Sequence, residues 1–536
     1  MAADESDEKT DAHTTATTIV PPKSAPLVDP IPDESTPLSV FLATFKAART
    51  QWVARQVVIM VAVLFRLGVG LGPYSGFGVP PMHGDFEAQR HWLEIASGLP
   101  LSQWYFYDLQ YWGLDYPPLT AYHSWVLGWV ARKINPEWVA LDTSRGIESA
   151  TLKSYMRLTV ILSELLIYTP AVSAFVRWSV RYAKLSPLHQ STAAAAILLQ
   201  PALILIDHGH FQYNCVMLGL ALFAFTDILN DNLFRGSIFF VLALGFKQMA
   251  LYYAIPVFAY LLGICIFPRV NIPRFVYLAV AVLIALAGLV FPFAIAGFLD
   301  GGGVAGTLAQ LHQIVFRVFP FARGLWEDKV ANLWCTLNTF IKLKQLFTPA
   351  ELQQLSLFTT LAFVLPVFAA LVCYPRKRAF MWGVSASAWA FFLFSFQVHE
   401  KSVLLPLLPV TLQLSGDADI HVQSVIYWIN NIAVFSLWPL LQREGLTLQY
   451  FVSLFLWNWL MSTHRKLPPW LPARLVVVGS YVVFTGLHVV EYCRPAPASY
   501  PDLYVLANGT LAFGCFMVFL LWNYAQLVKE CGNRSP

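Results

Sequence analysis

The chain has 536 residues, of which 57% are hydrophobic, 15% aromatic and only 12% charged. Soluble proteins carry about 25% charged residues, so this composition excludes an ordinary soluble domain and indicates an all-α polytopic membrane protein. The formal net charge of +4 is too small to suggest a nucleic-acid partner, and the seven cysteines lack the spacing of a zinc site or a disulfide framework.

Residues 1–50 form the first segment. They are acidic at the start and then rich in Thr, Pro, Ser and Ala, with too little apolar surface to fold alone. This composition predicts a disordered cytosolic tail. No basic region followed by an apolar core opens the chain, so we expect no cleavable signal peptide. We expect the first apolar span, near 52–71, to act as a signal anchor.

Apolar runs long enough to cross a bilayer recur along the rest of the chain. A further run, 117–132, is short, opens with two prolines and contains His123 and Ser124. Without it, the runs predict about fourteen transmembrane helices, near residues 52–71, 155–176, 188–206, 211–229, 234–248, 250–267, 275–298, 355–374, 379–396, 400–415, 422–441, 446–462, 472–490 and 504–527.

The distribution of Lys and Arg between the loops predicts the topology. If 117–132 does not span the membrane, the basic loop clusters, such as 376–378, all fall on one side, and positive loops mark the cytosol. If it does span, the later basic loops face away from the basic N-terminal flank. We therefore interpret 117–132 as a re-entrant or interfacial helix within one long lumenal loop, about 72–154. Both termini are then cytosolic.

Two charged residues lie inside the first two predicted spans. Arg66 is about five residues below the lumenal end of its span, and Glu164 is about nine residues below the lumenal end of the next. At about 1.5 Å per residue the depths differ by roughly 6 Å, within the reach of an arginine stem. Either charge alone is expensive in hydrocarbon, so we predict an ion pair or a shared polar pocket. Alternatively, Arg66 extends to the lumenal headgroups and Glu164 hydrogen-bonds elsewhere.

The predicted topology places the main polar clusters on one, lumenal face. Loops that are distant in sequence and converge on one face indicate an active site more than a transport path. The clusters are Gly84–Trp92, Gln110–Pro118, Asp207–Gln212, the loop 299–354 and Gln397–Lys401.

Asp85 and Asp115 are the candidate general bases. A carboxylate near an apolar boundary loses hydration, so we expect a raised pKa and readier acceptance of a proton from a sugar hydroxyl. The neighbouring aromatic residues, including Trp112 and Tyr116, offer ring faces for stacking against a sugar. The structural alternative is that Asp85 caps an amphipathic helix.

His399 and Lys401 are candidates for binding a donor phosphate, because a cationic pair can make charge-assisted hydrogen bonds to it. Arg317, Arg323 and Lys329 add positive charge in the 299–354 loop and could hold a pyrophosphate. The alternative for both sets is an ordinary turn or loop whose charges are solvated or paired with each other.

The Asp207–Gln212 cluster either binds a sugar or caps two helices. No P-loop, GxGxxG, HExxH or GxSxG motif is present, which argues against nucleotide binding, zinc proteolysis and serine hydrolysis. The predicted lumenal loops also lack a DxD-like metal pair. That pattern fits a metal-independent transferase with an activated lipid-phosphate donor.

Six stretches carry a family resemblance: GDFEAQRHW at 84–92, LQYWGLDYPPLTAY at 109–122, TSRG at 143–146, DHGHFQYN at 207–214, RGLWEDKVAN at 323–332 and FSFQVHEKS at 394–402. Together they resemble the dolichyl-phosphate-glucose α-1,3-glucosyltransferases of the endoplasmic reticulum, which belong to the GT-C class. The resemblance covers about residues 70 to 405. The AQRH and LTAY stretches favour the branch that adds the first glucose to the nine-mannose lipid-linked oligosaccharide over the second-glucose branch.

The resemblance implies a GT-C fold and a lumenal, inverting transfer that needs neither metal nor cofactor. It implies dolichyl phosphate glucose as donor and a dolichyl-pyrophosphate-linked oligosaccharide as acceptor, in the endoplasmic-reticulum membrane. It makes Asp85, in the Gly-Asp-Phe-Glu motif, the expected catalytic base. We expect further motif residues to bind the substrates: Asp115, Glu87, Arg90, Trp112, Tyr116, His208, His210, Gln212, Arg323, His399 and Lys401.

We expect four regions in the chain. They are the tail 1–50, a GT-C module 51–300 that contains the catalytic loop, a segment 301–415 that completes the donor site, and C-terminal transmembrane helices 416–536. The alternatives are the second-glucose transferase or another GT-C enzyme and, from a different class, a polytopic lipid or sugar transporter. A transporter predicts inverted repeats and polar residues near the bilayer midplane, whereas the polar clusters here lie at helix ends.

Overall fold

The computed structural model describes residues 36–45, 50–319 and 329–533. Throughout these residues the regular structure is helical and no strand occurs, in agreement with the predicted all-α class. The α-helices of the first half are α1 (Pro37–Ala43), α2 (Gln51–Gly70), α3 (Asp85–Gly98), α4 (Pro118–Ile134), α5 (Ala150–Ser163), α6 (Thr169–Tyr182), α7 (Pro187–Leu198), α8 (Pro201–Ile204), α9 (Asn214–Leu229), α10 (Leu233–Phe246), α11 (Ala254–Ile266) and α12 (Ile272–Gly297).

The helical chain continues in the second half. Its α-helices are α13 (Gly303–Val318), α14 (Leu333–Phe340), α15 (Leu343–Leu346), α16 (Pro349–Cys373), α17 (Lys377–Phe394), α18 (Leu404–Leu412), α19 (Ile420–Ser436), α20 (Trp438–Arg443), α21 (Thr447–Met461), α22 (Leu471–Cys493) and α23 (Leu503–Gly532). Short 3-10 helices are Leu101–Gln103, Pro136–Val139, Gln248–Tyr253, Glu400–Val403, Gln413–Ser415 and Thr463–Arg465, and π-helical segments are Glu164–Tyr168, Leu205–Phe211 and Phe298–Gly302.

A helix occupies each of the fourteen predicted spans. Among the described residues, eight helical stretches are long and apolar enough to cross a membrane, and Pro187–Leu198 with Pro201–Phe211, bent by 43°, makes a ninth. The other five predicted spans coincide with shorter or less apolar helices, namely α9, α10, α17, α18 and α21. The chain is therefore a multi-pass membrane protein, and the count of fourteen stays a prediction.

Helices α9 and α17 lie at the centre of the bundle and are buried along almost their whole length. Helix α9 packs against α6 and α10, and α17 packs against α16, α18 and α23. The outer helices are far less covered: only 11% of the residues in the apolar stretch of Leu471–Cys493 are buried within the protein. Apolar surface of that extent on a membrane protein contacts lipid.

Helix α1 lies within the segment predicted to be a disordered tail, so that expectation is wrong for residues 36–45. Thr36 caps the helix reciprocally with Ser39, and Leu38 and Leu42, one turn apart, are both buried. This short apolar pair packs against α7 and α21, and tertiary contact stabilises a helix too short to form alone. The other tail residues predicted to be disordered lie outside the described residues, apart from Thr50.

The first long loop is built on α3 and α4. Helix α4 covers the apolar run 117–132 almost completely. It packs closely on α3, since a Cβ at Gly128 would come within 2.4 Å of the Leu93 carbonyl oxygen. Tyr155 of α5 donates a 2.5 Å hydrogen bond to the Leu127 carbonyl. Helix α4 is not among the stretches apolar enough to span, and its interfacial placement stays a prediction.

The predicted ion pair between Arg66 and Glu164 is confirmed. The Arg66 guanidinium donates two hydrogen bonds of 2.5 Å to the two oxygens of Glu164, and both side chains are 3% exposed. Arg66 also donates to the carbonyls of Ala62 and Leu198 at 3.0 and 2.7 Å. The pair thus joins α2, the π-helical segment between α5 and α6, and the C-terminal end of α7.

Ion pairs between distant segments support the predicted grouping of the loops. Each pair joins two loops that the charge pattern assigns to the same side of the membrane. On the predicted lumenal side they are Asp85–Lys401, His210–Glu444 and Lys329–Asp502, and on the predicted cytosolic side they are Asp231–Lys377 and Arg378–Asp417.

Candidate active site

Asp85 is the centre of the candidate site. Its oxygen Oδ2 accepts hydrogen bonds from three side chains: His210 Nε2 at 2.8 Å, Gln212 Nε2 and Lys401 Nζ. Oxygen Oδ1 accepts none of these bonds, and the side chain is 23% exposed. The carboxylate therefore has one anchored oxygen and one oxygen that can accept a proton from a substrate.

The helix-capping alternative for Asp85 is wrong. Helix α3 begins at Asp85, its N-cap is Gly84, and no side chain caps it. Asp85 is the first residue of the helix, and its side chain extends away from the helix to contact other segments of the chain. The backbone N–H of Asp85 donates to Ser75 Oγ at 3.2 Å, which fixes the helix start.

Two of the three partners of Asp85 come from one irregular segment. His210 and Gln212 flank Phe211, at the end of the π-helical segment Leu205–Phe211, and Phe211 has a φ of 91°. A non-glycine residue in this left-handed region is strained, and such strain is characteristic of functional sites. The Phe211 ring packs on Phe86 with centroids 4.8 Å apart, which places this turn beside Asp85.

The pKa of Asp85 differs from the sequence-based expectation. Burial by itself raises the pKa of Asp85, but the ion pair with Lys401 and the hydrogen bond from His210 outweigh it and hold the pKa well below the ordinary value. The expected rise is therefore wrong for this arrangement of the site. The physical reason is that desolvation is opposed by two donors that stabilise the anion.

Lys247 and Glu444 are two site residues that the sequence analysis missed. Lys247 is 2% exposed and donates to Asn214 Oδ1 at 2.7 Å and Gln212 Oε1 at 3.3 Å. A single lysine between two apolar runs was a usable signal, because unpaired charge is rare there. Glu444 contacts His210 Nδ1 at 2.7 Å, but in sequence it resembles an ordinary turn residue.

Glu87 and Arg90 lie in a network inside the first long loop. Arg90 is fully buried and donates to Glu87 at 2.6 and 2.8 Å, to Glu94 at 2.8 Å and to Ser144 at 2.6 Å. Burial disfavours the charged form of Glu94, but His91 and Arg90 lower its pKa to about 2. Glu87 and Arg90 thus join α3 to the loop around Ser144, which suits a structural role better than direct substrate contact.

The Trp112 and Tyr116 side chains also have partners within the loop. Trp112 Nε1 donates to the Met82 carbonyl at 2.6 Å, and the Tyr116 ring lies 4.7 Å from that of Trp92. The Lys247 ammonium lies 5.0 Å from the Tyr116 ring centroid. Tyr116 is thereby connected to the Asp85 site through Lys247 and Gln212.

Asp115 lies beside this connection, within electrostatic range of Lys247. Arg317, one of the residues that could hold a pyrophosphate, donates to the carbonyls of Gly113 and Leu114 at 2.8 and 3.1 Å. Because these are backbone acceptors, Arg317 fixes the course of the loop that carries Asp115.

Three other predicted positions lie apart from Asp85 or cannot be placed. His208 Nε2 lies 2.6 Å from Glu164 Oε2, so His208 belongs to the Arg66–Glu164 cluster. Lys329 pairs with Asp502. Arg323 lies outside the described residues.

Within the Asp207–Gln212 cluster the predicted capping role belongs to Asp207, and sugar binding stays a prediction. Asp207 accepts hydrogen bonds from the Cys215 backbone N–H at 2.6 Å and the Asn214 side chain at 2.8 Å, at the start of α9. This is the capping role. His210 and Gln212 instead contact Asp85. No group of three or more His, Cys, Asp or Glu residues in the described ranges is arranged to hold a metal ion.

Comparison with known proteins gives consistent matches over most of the chain. A family model, described as "ALG6, ALG8 glycosyltransferase family", matches residues 57–522. The dolichyl pyrophosphate Man9GlcNAc2 alpha-1,3-glucosyltransferase of Saccharomyces cerevisiae is 46% identical over 532 residues, covering 94% of this chain and 96% of the relative. The probable enzyme of the same name from Schizosaccharomyces pombe is 46% identical over 508 residues, with coverages of 94% and 97%. The Rattus norvegicus protein of that name is 38% identical over 516 residues, with coverages of 90% and 98%.

Proposed function

Because the chain belongs to the ALG6, ALG8 glycosyltransferase family, we propose that it is an α-1,3-glucosyltransferase acting on dolichyl-pyrophosphate-linked Man9GlcNAc2. The relatives' names support this acceptor and linkage. An acceptor with that name carries no glucose, so the proposed product bears the first one. The observation that carries the proposal is Asp85, which has one anchored carboxylate oxygen and one free to accept a proton.

We further propose dolichyl phosphate glucose as the donor and an inverting, metal-independent reaction. Asp85 Oδ1 accepts the proton of the mannose 3-hydroxyl while the hydroxyl oxygen attacks C1 of glucose. The bond between C1 and the phosphate oxygen breaks, and its electron pair leaves with dolichyl phosphate. A β-linked donor thereby gives an α-linked product. The leaving phosphate already carries negative charge and needs cationic stabilisation more than protonation.

Lys401 and His399 are the proposed partners of the donor phosphate. Lys401 already lies in the site, where it holds Asp85 as an anion of low basicity. A phosphate bound beside Lys401 competes for its ammonium, and a carboxylate that loses a cationic partner becomes a stronger base. In this mechanism, donor binding prepares Asp85 to accept the proton.

The proposed setting is the endoplasmic-reticulum membrane, with the Asp85 site in the lumen and both chain termini in the cytosol. The basic loops support this orientation, because positive loops face the cytosol. The apolar outer helices support contact with membrane lipid. Both proposed substrates carry their reacting groups on dolichol, which keeps them in the same membrane as the enzyme.

Glucosyl transfer by purified protein tests the proposed function. The protein is reconstituted with dolichyl phosphate [14C]glucose and Man9GlcNAc2 linked to dolichyl pyrophosphate. We expect one labelled hexose per glycan, released by an α-glucosidase. An acceptor that already carries one glucose distinguishes the second-glucose activity, and dolichyl phosphate mannose tests the donor. No transfer, transfer only to the glucosylated acceptor, or preference for the mannose donor would contradict the proposal.

Replacing His399 by Ala is expected to raise the donor KM by about tenfold or more, with a much smaller change in acceptor KM. The reason is that hydrogen bonds to charged groups contribute about 1.5–3 kcal/mol. Initial rates with each substrate varied in turn give the two constants. The matched control is His464→Ala, which changes an exposed histidine in a loop on the predicted cytosolic side. An unchanged donor KM together with a raised acceptor KM would argue that His399 binds the acceptor.

A further inference from the structure

His210 lies between two carboxylates. Its Nε2 is 2.8 Å from Asp85 Oδ2, and its Nδ1 is 2.7 Å from Glu444 Oε1. The His210 and Glu444 side chains are only 4% and 8% exposed. Asp85 and Glu444, which are distant in sequence, are therefore joined through one buried imidazole ring.

The protonation state of the His210 ring follows from the numbers of hydrogen-bond donors and acceptors around it. An ionised carboxylate only accepts hydrogen bonds, and a neutral imidazole has a single N–H. With a neutral ring, one of the two contacts would set a nitrogen lone pair against a carboxylate oxygen. Both contacts are favourable when the ring carries a proton on each nitrogen, as an imidazolium between two anions.

The position of Glu444 is fixed by the turn that carries it. The Glu444 N–H donates to the Leu440 carbonyl at 3.3 Å, and Gly445 has a φ of 72°, which reverses the chain before α21. Beyond this turn, Leu446 and Gln449 pack against the C-terminal end of α2, since a Cβ at Gly72 would meet both side chains. Glu444 is thereby held against His210 by the fold of the C-terminal helices.

We propose that Glu444 is a positioning residue of the transfer reaction: it keeps His210 protonated and directed at Asp85 Oδ2, so that Oδ1 faces the acceptor hydroxyl. This inference rests on the proposed function. Glu444 touches neither substrate in this proposal and acts only through His210. It extends the site into the C-terminal region, where the sequence carried no motif.

The other charged groups around His210 decide the expected pH effect. Lys401 shares Asp85 Oδ2 with His210. Arg157 donates to the Gly209 carbonyl at 2.7 Å and lies within electrostatic range of Glu444. Both cations oppose a positive charge on His210, so the two anions must maintain it. Removing the charge of Glu444 therefore lets His210 lose its proton at lower pH.

Glu444→Gln is expected to lower kcat by about tenfold or more, with both KM values nearly unchanged. Because activity requires the imidazolium, the basic limb of the pH profile of kcat should move to lower pH by about one to three units. Glu444→Asp restores the charge and should return the limb towards its original position. Glu491→Gln, at a carboxylate that instead accepts from Trp438 Nε1 at 2.7 Å, should leave both kcat and the profile unchanged.

A double variant shows whether Glu444 acts through His210. In a His210→Gln background, adding Glu444→Gln should change kcat by less than about twofold, since coupled residues are non-additive. Equal losses in both backgrounds, or an unshifted basic limb in protein with wild-type thermal stability, would overturn the inference while leaving the proposed function intact. If Glu444→Gln does not fold, wild-type kcat together with an unshifted basic limb in His210→Gln overturns the inference. Absence of transfer by the wild-type protein would overturn the proposed function and this inference together.

Discussion

Asp85→Asn is expected to lower glucose turnover by about a hundredfold or more, while the protein still folds and binds both substrates. Asparagine keeps the size of the side chain but cannot take the proton of the mannose hydroxyl. The anchoring donors His210, Gln212 and Lys401 retain an oxygen acceptor, so the geometry changes little. Single-turnover transfer from dolichyl phosphate glucose measures the chemical step, and donor titration measures binding.

Two other aspartates of the same loop serve as comparisons for this prediction. Asp142, whose side chain is 59% exposed and contacts Arg145, is the matched control, and its change to Asn should leave turnover intact. Asp115→Asn tests the second candidate base. Near-normal turnover of Asp85→Asn together with a large loss in Asp115→Asn would move the base assignment to Asp115.

The part of the site nearest the reaction could be predicted from sequence because its residues occupy motifs. Asp85, His210, Gln212 and Lys401 all come from polar clusters at the ends of apolar runs. Charge is expensive next to hydrocarbon, so such clusters mark functional segments even without coordinates. The Lys/Arg pattern then placed these clusters on one face, and the contacts of Asp85 support that grouping.

The roles of individual polar residues were harder to predict, because a role depends on the partner that the fold supplies. His208 and His210 are two positions apart, yet one contacts Glu164 and the other contacts Asp85. The π-helical geometry of this segment sets their directions, and an apolar run does not distinguish it from an α-helix. The low pKa of Asp85 escaped prediction for a related reason, since it depends on Lys401, 316 residues away.

Breaking the Arg66–Glu164 pair from one side is expected to destabilise the protein strongly. In Glu164→Met, the Arg66 guanidinium keeps its charge and loses two hydrogen bonds in a site that is 3% exposed. Removal of one partner of a buried pair costs about 3–5 kcal/mol, whereas apolar replacement of both is often tolerated. When the protein is heated in detergent, the temperature at which half of it is no longer monodisperse should therefore be much lower for the single variant than for the wild type.

The double variant Arg66→Met with Glu164→Met should recover much of that loss, because no unpaired charge then remains on either residue. Arg66→Met alone should be milder than Glu164→Met, since His208 lies 2.6 Å from Glu164 and can still donate a hydrogen bond to it. Arg181→Met, at an exposed arginine farther along the same long helix as Glu164, is the control for loss of an arginine. If the double variant were as unstable as the two single losses added together, the pair would contribute no coupling, and the close contact would not explain why two charges lie within the apolar spans.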